Sequence, residues 1–215
     1  MQNKISGLCI FLITVFIGHA QNTHSYNLAE MLNKNDFLID TSNHAQILQD
    51  PDHKNAISLQ RVAWLKNITF KDGTIDIDLR GKDVFLQSFL GIAFNAKDMK
   101  HYEVIYFRPF NFKHPDTNRR RWSVQYMQVP DFTYDKLRKE HPLVYENSVT
   151  PVPRAEEWFH ATIVISADSA KVYVNHSAEC SLAVKRLVNN TVGMIGLWDD
   201  ELSGDFANLK IEGAR

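Results

Sequence analysis

The segment GTIDIDL, Gly73 to Leu79, decides the fold class. Ile75, Ile77 and Leu79 fall on one face of an extended chain and Thr74, Asp76 and Asp78 on the other, the period of two expected of a half-buried strand. Asp72 and Gly73 ahead of it form a turn pair. Outward from this segment, strands are predicted over Ala56 to Leu59, Phe85 to Asn95, Tyr102 to Phe107 and Trp122 to Met127. Further strands are predicted over Phe159 to Ser166, Lys171 to Asn175, Gly193 to Leu197 and Phe206 to Ile211. Helical spacing is confined to Leu28 to Leu32 and Tyr134 to Glu140. Many short strands divided by turn signals read as an all-β sandwich or barrel.

Parity assigns faces to several strands. Leu90, Ile92 and Phe94 are expected to point into the core, leaving the very small face of Gly91, Ala93 and Asn95 to line a groove. Phe159, Ala161, Ile163 and Ile165 likewise point inward, with His160, Thr162 and Val164 opposite. In Tyr102 to Arg108 both parities are mixed, Glu103, Ile105 and Phe107 on one side and Tyr102, Val104, Tyr106 and Arg108 on the other, and the stretch reads as a central strand covered on both faces. The irregular stretches Pro109 to Arg121 and Val129 to Pro153 are long for a compact domain and are candidates for binding loops or lids.

The composition supports one packed domain. Of 215 residues, 44% are hydrophobic and 23% charged, which provides a core and excludes disorder. A net charge of −1 lacks the basic excess that nucleic-acid binding needs. Lys4, the apolar run Leu8 to Ile17 and the residues Gly18, His19 and Ala20 form an export-signal pattern, with cleavage expected after Ala20. The expected organisation is a signal over residues 1–20, an N-terminal extension with the first strands over 21–55, and the main domain over 56–213. The location would be periplasmic or extracellular, with no membrane span. With Cys9 in the signal, Cys180 is left as a lone thiol, expected as a small core residue rather than half of a disulfide. Asn67, Asn175 and Asn189 each begin an Asn-x-Ser/Thr triplet, a glycan acceptor in hosts that glycosylate exported proteins.

Seven stretches together carry a resemblance: GTIDIDLRGKD (Gly73 to Asp83), SFLGIAF (Ser88 to Phe94), YEVIYFRPF (Tyr102 to Phe110), WSVQY (Trp122 to Tyr126), EEWFHATIVI (Glu156 to Ile165), KVYVN (Lys171 to Asn175) and GMIGLWDD with GDFANLKI (Gly193 to Ile211). In this order they resemble a concanavalin A-like lectin/glucanase jelly roll. Within it they are similar to exported bacterial domains grouped as 3-keto-disaccharide hydrolase, or family 16 glycoside hydrolase-like, and to laminin G-like modules. The resemblance implies two antiparallel sheets face to face, with a ligand groove on the concave one. It implies carbohydrate recognition, with hydrolysis or elimination at glycosidic linkages as one alternative and protein binding by a laminin G-like module as another.

Glucanases of that superfamily carry an E-x-D-x-E strand, and this chain has none. The nearest pattern, Asp76 and Asp78, spans about 7 Å along the strand, against about 5 to 5.5 Å for a retaining pair, and is expected to be solvated surface. The candidate sugar site is Arg108, Arg121, Gln125, Tyr126 and Trp158, which combine polar groups with rings, with Glu103 and His160 as candidate proton-transfer groups. In the elimination alternative, Glu103 is the base and Arg108 stabilises the oxyanion. Arg119 to Arg121 read as a solvated loop. No cofactor is expected; Asp199, Asp200 and Asp205 are the weak candidates for calcium.

Overall fold

The computed structural model describes residues 22–40, 44–189 and 191–215. The expected export signal, with Cys9, lies outside the described residues. Two antiparallel sheets stack into a sandwich. One has eight strands among the described residues, in the order β13 (Leu182–Lys185), β12 (Ser169–Val174), β11 (Phe159–Ile165), β6 (Gly73–Arg80), β15 (Gly204–Glu212), β4 (Ile57–Leu59) and β3 (Ala45–Ile47), with β1 (Thr23–Ser25) also on β15. The other has seven: β10 (Glu146–Asn147), β9 (Val124–Val129), β8 (His101–Phe107), β7 (Ser88–Asp98), β14 (Gly193–Glu201), β5 (Ala63–Phe70) and β2 (Phe37–Ile39). Among the described residues, four helices decorate the sheets: α1 (Leu28–Asn33), α2 (Pro109–Phe112), α3 (Thr117–Arg120) and α4 (Tyr134–Glu140). None is long and apolar enough to cross a membrane.

Alternation builds the core. Ile75, Ile77 and Leu79 of β6 meet Phe159, Ala161 and Ile163 of β11 across the ladder, all buried. From the facing sheet, Leu90, Ile92 and Phe94 enter beside Ile105 and Phe107, and the Phe107 and Phe159 rings join the two sheets edge to face at 5.1 Å. β8 is covered on both faces, as expected of a central strand.

Three left-handed asparagines break the alternation. Asn67 (φ 59°), Asn95 (φ 52°) and Asn208 (φ 53°) lie where β5, β7 and β15 shift register against their neighbours. Asparagine tolerates this backbone region better than most residues, and each bulge reverses the parity after it. That reversal hid β5 from the sequence reading. At Asn95 it turns the amide into the sandwich instead of the groove expected for that face. β7 itself begins at Ser88 rather than Phe85, because Leu86 adopts φ 59° in the turn before it. The segment over residues 21–55, expected as an extension with the first strands, supplies β1, β2 and β3 to the two sheets. Cys180 is half-buried in a turn, where its thiol faces the Val172 and Leu182 carbonyls.

Candidate functional site

The outer face of the seven-stranded sheet carries a ring cluster. By register, Phe89 and Gly91 of β7, Tyr106 of β8 and Trp198 of β14 all point to this side. The Tyr106 and Trp198 rings lie 5.0 Å apart, and Phe89 stands 6.2 Å from Tyr106. Gly91 makes this approach possible: a Cβ there would come 2.0 Å from the Ile105 carbonyl oxygen. The exposed side chains of Leu86, in the turn before β7, and Tyr134, at the start of α4, rise above this floor. Together they enclose a cleft of about 320 Å³.

Polar groups stand at one end. Arg108, only 4% exposed, donates to the Tyr106 hydroxyl at 2.5 Å, to the Gln125 side-chain oxygen and to the Trp122 carbonyl at 3.0 Å. The Tyr106 hydroxyl donates in turn to Gln125 at 2.9 Å. α4 presents Arg138 to Glu146 of β10, and the guanidinium grips that carboxylate through bonds of 2.9 and 2.6 Å while lying 4.3 Å over the Trp122 ring. Arg108 is 3.8 Å from the same carboxylate, so two guanidiniums share one buried anion. Burial pushes the Tyr106 phenol up to about 12 and lowers Arg108 from its ordinary value. The Gln125 amide nitrogen is buried without a hydrogen-bond partner among the described residues. At the other end Asp200 and Glu201 line the opening; burial, then the neighbouring Glu201 charge, raise the Asp200 pKa.

Of the residues singled out in the sequence, Arg108 and Gln125 meet here. The others do not join them. Glu103 and Tyr126 point between the sheets, where the fully buried Glu103 pairs with Arg186, accepts from the Tyr126 hydroxyl at 2.5 Å and from Asn95 at 2.7 Å. Glu103 of β8 points between the sheets while Arg108, just past the end of that strand, bonds Tyr106 on the outer face, so base and oxyanion stabiliser do not face one ligand. Trp158 and His160 belong to the outer side of the eight-stranded sheet. Arg121 ends α3 in solvent. The acidic residues after Trp198 also separate: Asp205 pairs with Arg80, Asp200 lines the cleft, and Asp199 is buried opposite Leu90. Among the described residues, no group of three or more His, Cys, Asp or Glu is arranged to hold a metal ion.

The sequence reading missed Tyr106, Trp198, Arg138 and Glu146. Shared parity with Arg108 was a usable signal for Tyr106. The joining of Arg138 to Glu146 depends on how the loop from residue 130 packs and has no local signature. A larger cleft of about 490 Å³ near α2 is rimmed by exposed charges, Lys113, Arg154, Glu156 and Glu157, and offers few rings.

One expectation is corrected on the eight-stranded sheet. Asp76 and Asp78 are not a freely solvated pair: the His160 ring lies between them, 2.7 Å from Asp78 and 3.1 Å from Asp76. Burial disfavours the imidazolium, but the two carboxylates override it and hold His160 at about 9. The line continues through His53, which lies 3.3 Å from Asp78 and stacks on Trp158 at 4.3 Å. Trp158 donates its indole N–H to Asp50 at 3.0 Å.

No family model matches the chain, and no curated protein matches it. Solved structures do. A Bacillus subtilis protein of unknown function with a galectin-like fold matches with a TM-score of 0.57 at 12% identity, over 89% of this chain and 95% of its own. A candidate glycosyl hydrolase from Parabacteroides distasonis gives 0.51 at 12% identity, over 79% and 93%. A carbohydrate-binding module from Bacillus subtilis gives 0.49 at 16% identity, over 73% and 86%. At such identities the first two similarities establish the fold alone, a jelly-roll sandwich of two antiparallel sheets.

Proposed function

We propose that this chain is an exported carbohydrate-recognition domain that binds a sugar in the cleft over Tyr106 and Trp198. The observation that carries the reading is the convergence of Phe89, Tyr106, Trp198 and Tyr134 with Arg108 and Arg138 around one cleft on the outer sheet face. Sugar rings present C–H faces that stack on aromatic rings and hydroxyls that take oriented hydrogen bonds, and the cleft supplies both. The jelly-roll fold, which a candidate glycosyl hydrolase shares, is compatible with this use. Tyr134 is exposed, so Tyr134→Ala tests the site without disturbing the core. Calorimetric titration against plant, algal and host polysaccharides is expected to find a ligand whose affinity the variant lowers about tenfold, near 1.4 kcal/mol. Absence of binding to every polysaccharide class overturns the reading. Export is tested by the N-terminus of the protein recovered outside the cytoplasm, expected at Gln21.

Turnover is the second reading, favoured by Asp200. Its raised pKa suits a general acid at the mouth of the cleft, whereas Glu103 is engaged inside the sandwich. Asp200→Asn is expected to abolish cleavage of a 3-keto-disaccharide while sparing its binding; unchanged turnover removes Asp200 from the chemistry.

A further inference from the structure

A second cleft, of about 480 Å³, opens on the outer face of the eight-stranded sheet, on the other side of the sandwich from the first. Its floor is rigid. Asp76 and Asp78 hold His160 between them, the Thr162 hydroxyl donates to Asp76 at 2.6 Å, and the Asn208 amide, turned by its bulge, donates to Asp78 at 2.7 Å. Around this floor stand polar groups that make no hydrogen bond of their own among the described residues: the second Asp76 oxygen, the Tyr26 hydroxyl, the Lys210 ammonium and the His176 ring nitrogens. Asn55 uses its oxygen to accept from the Asn208 N–H at 3.3 Å, which leaves its NH₂ free to donate into the cleft.

His176 is held there at a cost. The Val174 carbonyl accepts from the Ser177 N–H at 3.1 Å, closing a turn in which Asn175 (φ 49°) and His176 (φ 58°) are both left-handed. Asn-Gly is the preferred pair for such a turn, and a side chain at the second position is disfavoured. The exposed ring lies flat on His160, with centroids 4.1 Å apart, and so gives the cleft an aromatic platform.

The charges sum to zero. Two aspartates stand against the His160 imidazolium and Lys210, which argues against a strongly charged ligand. Unengaged donors and acceptors alternate around an aromatic face, and a ligand whose groups each donate and accept, the hydroxyls of a sugar, fits that mixture.

We infer that this cleft is a second carbohydrate site, for a neutral oligosaccharide. It is independent of the first cleft and makes the domain bivalent. Because the two clefts open on opposite faces, one domain bridges two polysaccharide chains, and avidity on a multivalent surface exceeds the affinity of either site.

The test follows the imidazole and indole signals by NMR during titration with neutral glucose, mannose and galactose hexaoses, in the wild type and in Tyr134→Ala, His176→Gly and Asp76→Asn. Glycine suits the turn better than histidine, so His176→Gly is expected to melt at the wild-type temperature or above. The expected result is a hexaose that moves the His160 signals in the wild type and in Tyr134→Ala, with affinity at least tenfold weaker in His176→Gly and Asp76→Asn. Movement of the Trp198 indole signal alone overturns the second site and leaves the first standing. Movement of His160 that His176→Gly does not weaken also overturns it. Silence of both signals removes both sites.

Discussion

Asp199→Asn is expected to stabilise the protein at neutral pH. Asp199 is 3% exposed on the inner face of β14, and among the described residues neither of its side-chain oxygens reaches a partner in hydrogen-bonding geometry. Burial, helped by the nearby Asp200 and Asp205 charges, pushes its pKa from 3.8 up to about 9, and the Gly204 N–H and Lys82 only temper the rise. The folded chain therefore takes up a proton that the unfolded chain, with an ordinary aspartate, does not hold at pH 7. Each pH unit above the unfolded pKa costs about 1.36 kcal/mol, so the penalty at pH 7 reaches about 4 kcal/mol for a rigid interior. The sign is that of a raised acid: the penalty is absent below pH 4, grows as pH rises towards 9 and is constant beyond. Asparagine has the same shape and polarity as the protonated carboxyl but needs no proton. Urea unfolding followed by tryptophan fluorescence at pH 5, 6, 7 and 8 is expected to show the variant's advantage widening by about 1.4 kcal/mol per unit. At pH 7 this is a gain of about 10 °C in Tm for a domain of this size. A variant that matches the wild type at every pH, or is less stable at pH 8, refutes the reasoning, because it means the carboxylate is stabilised by a cation or a hydrogen bond.

Three further outcomes test the framework. Glu103→Gln removes the carboxylate charge that Arg186 grips between the sheets and is expected to cost about 3 to 5 kcal/mol, read as a lower urea midpoint with sugar affinity unchanged where the protein remains folded; a selective loss of affinity with full stability would return Glu103 to the site. His160 has a folded pKa raised to about 9, so its ion pairs stabilise fully below about pH 6.5 and are lost as pH rises through 9; the stability difference from His160→Asn, measured across that window, is expected to shrink with rising pH. Gly91→Ala forces a methyl group to within 2.0 Å of the Ile105 carbonyl oxygen and is expected to lower Tm sharply, whereas Ala93→Gly, on the same face, should lower it modestly.

Much of this architecture was legible in single segments. Alternation placed the inward faces of β6, β7 and β11, and β8 was readable as a strand covered twice. α4 was readable because Leu137 anchors it to the sheet while charged residues cover its exposed side. The failure at β5 has a clear cause. Asn67 interrupts the alternation of β5, and the side-chain parity that identifies a strand is lost wherever an extra residue enters the ladder.

The candidate site divides along the same boundary. Sequence alone determined that Asp76 and Asp78 share a face and that His160 points away from the core. Each is a property of the extended backbone and needs no partner. It could not determine that Glu103 finds Arg186, 83 residues away, that β11 lays His160 between the two aspartates, or that Arg138 and Glu146 close one end of a cleft floored by Tyr106 and Trp198. Those meetings depend on which strands become neighbours and on how the loop carrying α4 folds back. Long-range pairing sets both, and the energy of a buried charge depends on the partner that pairing brings to it.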